Sequence, residues 1–144
     1  MLNVKYPEKK PSVSLKDGVE KIFCLSRKKW VVLTPEEWVR QNFILYLSEI
    51  LNYPISLMAV EKQVKIGELT KRFDIVVFKD SVPFLLIECK EMSVPLTESV
   101  LHQALNYNMG IQSRYVIITN GNQSFAFEKS ENDFVQTHEL VRFS

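Results

Sequence analysis

Arg72 to Lys90 reads RFDIVVFKDSVPFLLIECK, and this stretch decides the fold. Phe73-Asp74-Ile75-Val76-Val77-Phe78 is one apolar run, Lys79-Asp80-Ser81 has turn chemistry, and Phe84-Leu85-Leu86-Ile87 is a second run, which together predict a β-hairpin. Acids sit in both arms. Asp74 falls at the start of the first strand, while Glu88 and Lys90 close the second, two residues apart and hence on one face. Strands apolar on both faces are buried, and an unpaired carboxylate there costs several kcal/mol or shifts its pKa. These charges need compensation.

A divalent cation is the most economical candidate. Two carboxylates on neighbouring strands, with a carbonyl from the residue after Glu88, are the hard oxygen donors that Mg²⁺ takes, and Mn²⁺ accepts the same set. Lys90, one pleat further on, is placed to polarise a water or to neutralise charge developing on a phosphate. The plainer reading makes Glu88 and Lys90 a solvated strand end and Asp74 a turn acid, since E-x-K alone is a common spacing.

Around this hairpin, 144 residues with 46% hydrophobic composition, 4 glycines and 6 prolines make one well-packed domain with no low-complexity segment. A formal net charge of +1 argues against a generally basic coat, so contact with nucleic acid must come from local clusters. The N-terminus has no secretory pattern and no apolar run approaches membrane-spanning length, so the expected compartment is the cytoplasm, with no membrane partner. Of the two cysteines, Cys24 and Cys89, the second lies inside E-x-K and is expected to face the core, opposite Glu88 and Lys90. No spacing suits zinc, and nothing places His102 or His138 as a base for a cysteine nucleophile.

In chain order, residues 1–16 are expected to form a flexible arm, leaving 17–144 as the domain. Val19–Leu25 and Trp30–Leu33 form a candidate hairpin with a basic tip, Ser26-Arg27-Lys28-Lys29, either solvated or touching phosphate. Thr34 is an N-cap and Pro35 a first-turn proline for a helix to about Leu51, with Val39, Phe43, Leu47 and Ile50 as its apolar stripe. On it Glu36 is expected to face inward, with Arg40 as ion-pair partner, and Glu37 to point away and complement the dipole. Ile55–Val60 and Lys62–Ile66 read as strand, with Gly67-Glu68 turning into the central hairpin and Lys71 and Arg72 at its mouth. Thr97 caps a second helix, expected to end at Met109 before Gly110, with Val100, Gln103, Ala104 and Tyr107 on one face. Tyr115–Thr119 is a buried strand reached by a crossover, and Asn120-Gly121-Asn122 turns it into Ser124–Glu128. The segment 133–144 fits either a strand or a short helix.

The order helix, three strands, helix, strand, with Asp74 on the second strand, Glu88-x-Lys90 on the third and Gln103 on the next helix, resembles the PD-(D/E)XK phosphodiesterases. More closely, the chain resembles small bacterial proteins related to the N-terminal nuclease domain of type I restriction enzyme R subunits. The resemblance is carried by Arg27-Lys28-Lys29-Trp30, Leu33 to Gln41, Arg72-Phe73-Asp74-Ile75-Val76, Ile87-Glu88-Cys89-Lys90, Gln103 to Asn108 and Thr119-Asn120-Gly121. It implies a restriction-endonuclease-like α/β fold, a mixed sheet flanked by helices in an αβββαβ core, with an N-terminal β-hairpin. It also implies Asp74, Glu88 and Glu36 as metal ligands, Lys90 and Gln103 as catalytic groups, and Tyr107 lining the site. Charge alone adds Lys28, Lys29, Arg40, Lys71 and Arg72 as candidate DNA contacts.

The expected activity is metal-dependent hydrolysis of DNA, alone or with a protein partner or second copy. The alternatives are a non-catalytic nucleic-acid-binding or assembly module on the same fold, and a structural network pairing Glu36 with Arg40 and Glu88 with Lys90. On the nuclease reading, Asp74→Ala is expected to abolish cleavage without weakening the metal-free fold.

Overall fold

A computed structural model describes residues 1–108 and 111–144. The described residues form nine strands and two α-helices: β1 Val13–Lys16, β2 Val19–Cys24, β3 Lys29–Val32, α1 Pro35–Leu45, β4 Met58–Ile66, β5 Leu69–Lys79, β6 Val82–Cys89, α2 Glu98–Asn108, β7 Tyr115–Thr119, β8 Ser124–Ser130 and β9 Asp133–Thr137. Strands β1–β3 make a small antiparallel sheet, and β4 to β9 make a six-stranded sheet in sequence order. Every neighbouring pair in the large sheet is antiparallel except β6 and β7, which run parallel. That pair needs a crossover, and α2 supplies it.

The layers follow from the apolar faces. Val39, Phe43, Ile44 and Leu47 pack with Ile75, Val77, Leu85, Ile87 and Cys89 in one core. Ala104 packs with Phe73, Val76, Leu86, Val116 and Ile118 in a second core across the sheet. The small sheet covers α1 from the other side, with Ile22 and Cys24 fully buried.

Helix α1 begins as its cap chemistry predicts, the Thr34 hydroxyl accepting from the Glu37 N–H at 3.0 Å with Pro35 in the first turn. Its last turn widens into a π-helical segment, Tyr46–Ile50, in which the Leu51 N–H reaches the Tyr46 carbonyl. The β5–β6 turn has Asp80 and Ser81 at φ of 52° and 67°, the left-handed pair that matches strand twist in a tight hairpin. The expected end of α2 at Met109 and its stop at Gly110 lie outside the described residues.

Two expectations change. The flexible arm is instead docked: Leu2 is buried in the α1-side core, its N–H donates to the Ser124 carbonyl at 2.8 Å, and Val13–Lys16 pairs with β2. The reason is a D-G turn, Asp17-Gly18, with both residues at positive φ, so the boundary expected at residue 16 falls inside a hairpin. The C-terminal ambiguity resolves as the edge strand β9 on β8.

The large sheet splits at Asp74. The β5–β6 ladder ends at Ile75↔Ile87, and the β4–β5 ladder skips the Glu61–Asp74 position, where Glu61 has φ of 55°. Val60, Ile75 and Val77 pack on the α1 side, whereas Val64 and Phe73 pack on the α2 side. Strand residues two or four apart share a face, so the alternation inverts once, at Glu61–Asp74. Beyond the split, β6 follows β7 alone, and Lys90 donates its N–H to the Thr119 carbonyl at 2.8 Å.

Candidate active site

Where the backbone ladder stops, the Asp74 side chain continues it. Its Oδ2 accepts the Cys89 N–H at 2.8 Å, in place of a strand carbonyl. Its Oδ1 accepts from Arg40 Nη2, also at 2.8 Å. The carboxylate is therefore fixed at the fork between β5 and β6, with the side chain 13% exposed.

Arg40 is the hub of a buried ion network. Its side chain is 4% exposed and meets Glu37 at 2.7 Å, Asp74 at 2.8 Å, Glu36 at 3.3 Å and Glu61 at 3.6 Å. Glu37 also accepts from Arg27 at 2.7 Å and from Gln41 Nε2 at 2.9 Å. Burial opposes the Arg40 charge, but the Asp74 hydrogen bond and the Glu37 charge outweigh it, and its pKa stands above the ordinary arginine value. The network joins four elements: the β2–β3 turn through Arg27, α1 through Glu37 and Arg40, β4 through Glu61, and β5 through Asp74.

The remaining groups line a cleft of about 440 Å³ between the fork and α2, formed by Arg72, Glu88, Lys90, Val94, Val100, Gln103, Ala104 and Tyr107. All four residues of the expected α2 face are present, since the helical spacing holds. Gln103 is exposed in the cleft, not buried against the sheet. Tyr107 is pinned beside β5: its hydroxyl accepts the Arg72 N–H at 3.1 Å, and its ring meets Phe73 at 5.8 Å. Lys71 Nζ donates to the Tyr107 carbonyl and lies 4.6 Å from the Tyr107 ring centroid, whereas Arg72 lines the cleft.

Glu88 carries the electrostatic strain. Burial and the nearby Asp74 charge push its pKa to about 7, against a partial offset from Lys90, whose Nζ is 3.9 Å from its carboxylate. Glu36 is raised by burial and by Asp74, with Arg40 opposing. Five carboxylates (Glu36, Glu37, Glu61, Asp74 and Glu88) thus stand against four cations, Arg27, Arg40 and Lys90 in ion pairs and Arg72 at the cleft wall, a formal excess of one negative charge when Glu88 is ionised. Burial drives the inward-facing Cys89 thiol upward, so it stays protonated.

The clustered acids, with Glu88 raised by burial and by the Asp74 charge, suit a bound cation. The donor geometry fits less completely: among the described residues no three His, Cys, Asp or Glu side chains are grouped to hold a metal ion. The Asp74 oxygens already serve Arg40 and Cys89, although each carboxylate oxygen keeps a second lone pair.

Several expected placements need correction. Glu36 was expected inward and Glu37 outward; Glu37 is the buried acid, 8% exposed, and Glu36 stands at the site's rim, 50% exposed. The small sheet covers that flank of α1 and brings Arg27 to Glu37 as counter-ion. Arg40 was expected to reach substrate, but its guanidinium is enclosed by acids. Lys28 and Lys29 are exposed on the hairpin tip and do not line the cleft. Asp74→Ala was expected to leave the fold intact, yet Asp74 satisfies two donors, one on a buried arginine. Missed altogether were Arg27, Gln41 and Glu61 as network members; the i, i+4 spacing of Glu37 and Gln41 on α1 was a local signal for Gln41, and Arg27 and Glu61 had none.

The mixed sheet, its parallel β6–β7 pair and the flanking helices define a restriction-endonuclease-like α/β domain. Residues 35–141 match the family described as type I restriction enzyme R protein N terminus (HSDR_N), and the chain belongs to that family. The match takes in Glu36, Asp74, Glu88, Lys90, Gln103 and Tyr107, and begins after the small sheet. No curated protein matches the chain. No helix among the described residues is long and apolar enough to cross a membrane.

Proposed function

We propose that this chain is a metal-dependent DNA phosphodiester hydrolase of the PD-(D/E)XK kind. The observation that carries the reading is the convergence of Asp74, Glu88 and Lys90 where the sheet splits, with Glu88 and Lys90 lining an open cleft beside the Asp74 carboxylate. Membership of a restriction-enzyme family supports DNA as the substrate class.

Asp74 and Glu88, with the Cys89 carbonyl, would hold Mg²⁺ or Mn²⁺, and Glu36 would complete the outer ligands. The bound ion would supply Lewis-acid polarisation of the scissile phosphate and a more acidic water. The chain's own groups have separate tasks. The Cys89 N–H and Arg40 fix the Asp74 carboxylate before substrate arrives, which is the preorganisation that electrostatic catalysis needs. Lys90, beside Glu88 at the cleft wall, orients the attacking water or neutralises the phosphate oxygens. Gln103 and Tyr107 line the wall opposite the fork, and Arg72 offers the cleft a cation for the phosphate backbone.

One observation favours a second reading, a DNA-binding or assembly module without catalysis: Arg40 holds the Asp74 oxygen that a metal would share, and among the described residues no three His, Cys, Asp or Glu side chains are grouped for an ion. One experiment separates them. Wild type, Asp74→Asn and Lys90→Ala are incubated with plasmid and single-stranded DNA in Mg²⁺, Mn²⁺ or EDTA, and their melting temperatures are followed. The nuclease reading requires metal-dependent cleavage lost in both variants, with metal-induced stabilisation kept in Lys90→Ala and lost in Asp74→Asn. Binding of DNA with no cleavage and no thermal response to metal selects the module instead.

A further inference from the structure

The small sheet precedes the family-matched segment, and the chemistry above leaves its outer face unused. Strand alternation turns Ile22 and Cys24 of β2 inward, where both are fully buried. The register places Lys16 beside Val19, Lys21 beside Val32, and Phe23 beside Trp30, all on the outer side. Val19, Trp30 and Val32 are 42%, 45% and 54% exposed, an apolar cluster that is unusual on an isolated surface. Phe23 and Trp30 meet edge to face with ring centroids 5.3 Å apart.

The charge on this face has one sign. Among those six residues are two lysines, two aromatics and no acid; Glu20 lies on the opposite side by alternation, and Asp17 is in the turn. Lys28, exposed in the hairpin turn close to Trp30, adds a cation at the edge of this face, whereas Lys29, registered with buried Cys24, falls on the other side. Aromatic rings flanked by cations are the pattern that holds unpaired bases by stacking and their phosphates by charge. A duplex hides its base faces, so the aromatic pair offers it little.

We infer that the outer face of the β1–β3 sheet is a binding surface for single-stranded nucleic acid, Trp30 stacking on a base while Lys16 and Lys21 contact phosphates. The surface is tied to the cleft through Arg27, which leaves the same hairpin to pair with Glu37 and, through it, Arg40 and Asp74. A strand held here is thus held at a fixed position relative to the fork.

The test uses the full chain in EDTA, so that it does not depend on cleavage. Trp38→Phe leaves Trp30 as the sole tryptophan, and its emission is followed during titration with a twelve-residue oligothymidylate. Emission is expected to be quenched on binding. Affinities of the variants are read from the anisotropy of the same oligonucleotide carrying a 5′ fluorescein, and by that measure Trp30→Ala, at a half-exposed position, is expected to weaken binding about tenfold with an unchanged salt slope. Lys16→Gln with Lys21→Gln is expected to flatten the plot of log K against log salt by about 0.7 for each lost phosphate contact. Binding equal to the parent's in both variants would overturn the inference, even if Asp74-dependent cleavage were present. A concentration-dependent dimer that Trp30→Ala disperses, with oligonucleotide binding unaltered, would also overturn it and assign the face to a second copy. Quenching with the expected variant effects in a protein that cleaves nothing would uphold it.

Discussion

Replacing Glu88 by Gln is expected to stabilise the metal-free protein, by an amount that grows as pH rises above about 4.5 and levels off above about 7. Glu88 titrates near 4.5 in an unfolded chain and at about 7 in the fold, raised by burial and by Asp74. The folded state therefore binds the proton more tightly, and between those values it holds more protons than the unfolded state. Stability must fall as pH rises through that window, the reverse of an acid held by a salt bridge. At about 1.4 kcal/mol per pH unit, the contribution lost between pH 5 and pH 8 is about 2 kcal/mol. Gln has the same shape and no charge, so it removes this dependence. Urea unfolding of both proteins in EDTA at pH 5 and pH 8 measures it as a difference of differences, which cancels the two histidines. In wild type, millimolar Mg²⁺ at pH 8 is expected to recover the lost stability, and in Glu88→Gln to recover much less. Identical pH profiles for the two proteins would refute the electrostatic account of the cleft, and a Gln variant less stable at pH 8 would show that Glu88 is well paired.

The network makes further predictions. Asp74→Ala strips an acceptor from buried Arg40 and from the Cys89 N–H and is expected to cost about 2–3 kcal/mol in urea unfolding; Asp74→Asn, which keeps an acceptor, should cost distinctly less. Glu37→Ala removes the nearer and buried of the two acids that Arg27 and Arg40 share, leaving Glu61, and is expected to cost about 3 kcal/mol, whereas Glu36→Ala at the exposed rim should stay within about 1 kcal/mol by the same assay. Lys90→Ala is expected to reduce cleavage at least a hundredfold while the Mg²⁺-induced rise in melting temperature persists; loss of that rise would make Lys90 part of the ion's support.

The central hairpin was legible because its two apolar runs and turn residues are local signals, and α1 because Thr34 and Pro35 mark its start. The face of α2 was legible for a similar reason, since i, i+3, i+4 and i+7 define a stripe whatever packs on it. What sequence did not yield were contacts made from a distance. Glu37 reads as a solvated first-turn acid until a separate sheet brings Arg27 against it. Arg40 reads as a free cation until four acids from three elements enclose it. The fork at Asp74 was hidden as well, because an inversion of strand alternation depends on where two ladders end, and residues 73–78 form an unbroken apolar run around the acid. Leu2 looked like part of a loose arm because nothing near it in sequence shows the groove it fills.

The inversion at Glu61 and Asp74 has a further consequence for how the domain opens. The β4–β5 hairpin gives Val60, Ile75 and Val77 to one core and Val64, Phe73 and Val76 to the other. Neither side of the sheet can loosen without dragging the shared strands, so the two cores are mechanically interlocked and should melt as one cooperative unit. In native-state hydrogen exchange, amides in β5 on either side of the acid would then open with the same free energy and the same denaturant dependence. The Cys89 amide, held by the Asp74 side chain and not by a strand carbonyl, would be released earlier as a local reporter of the fork.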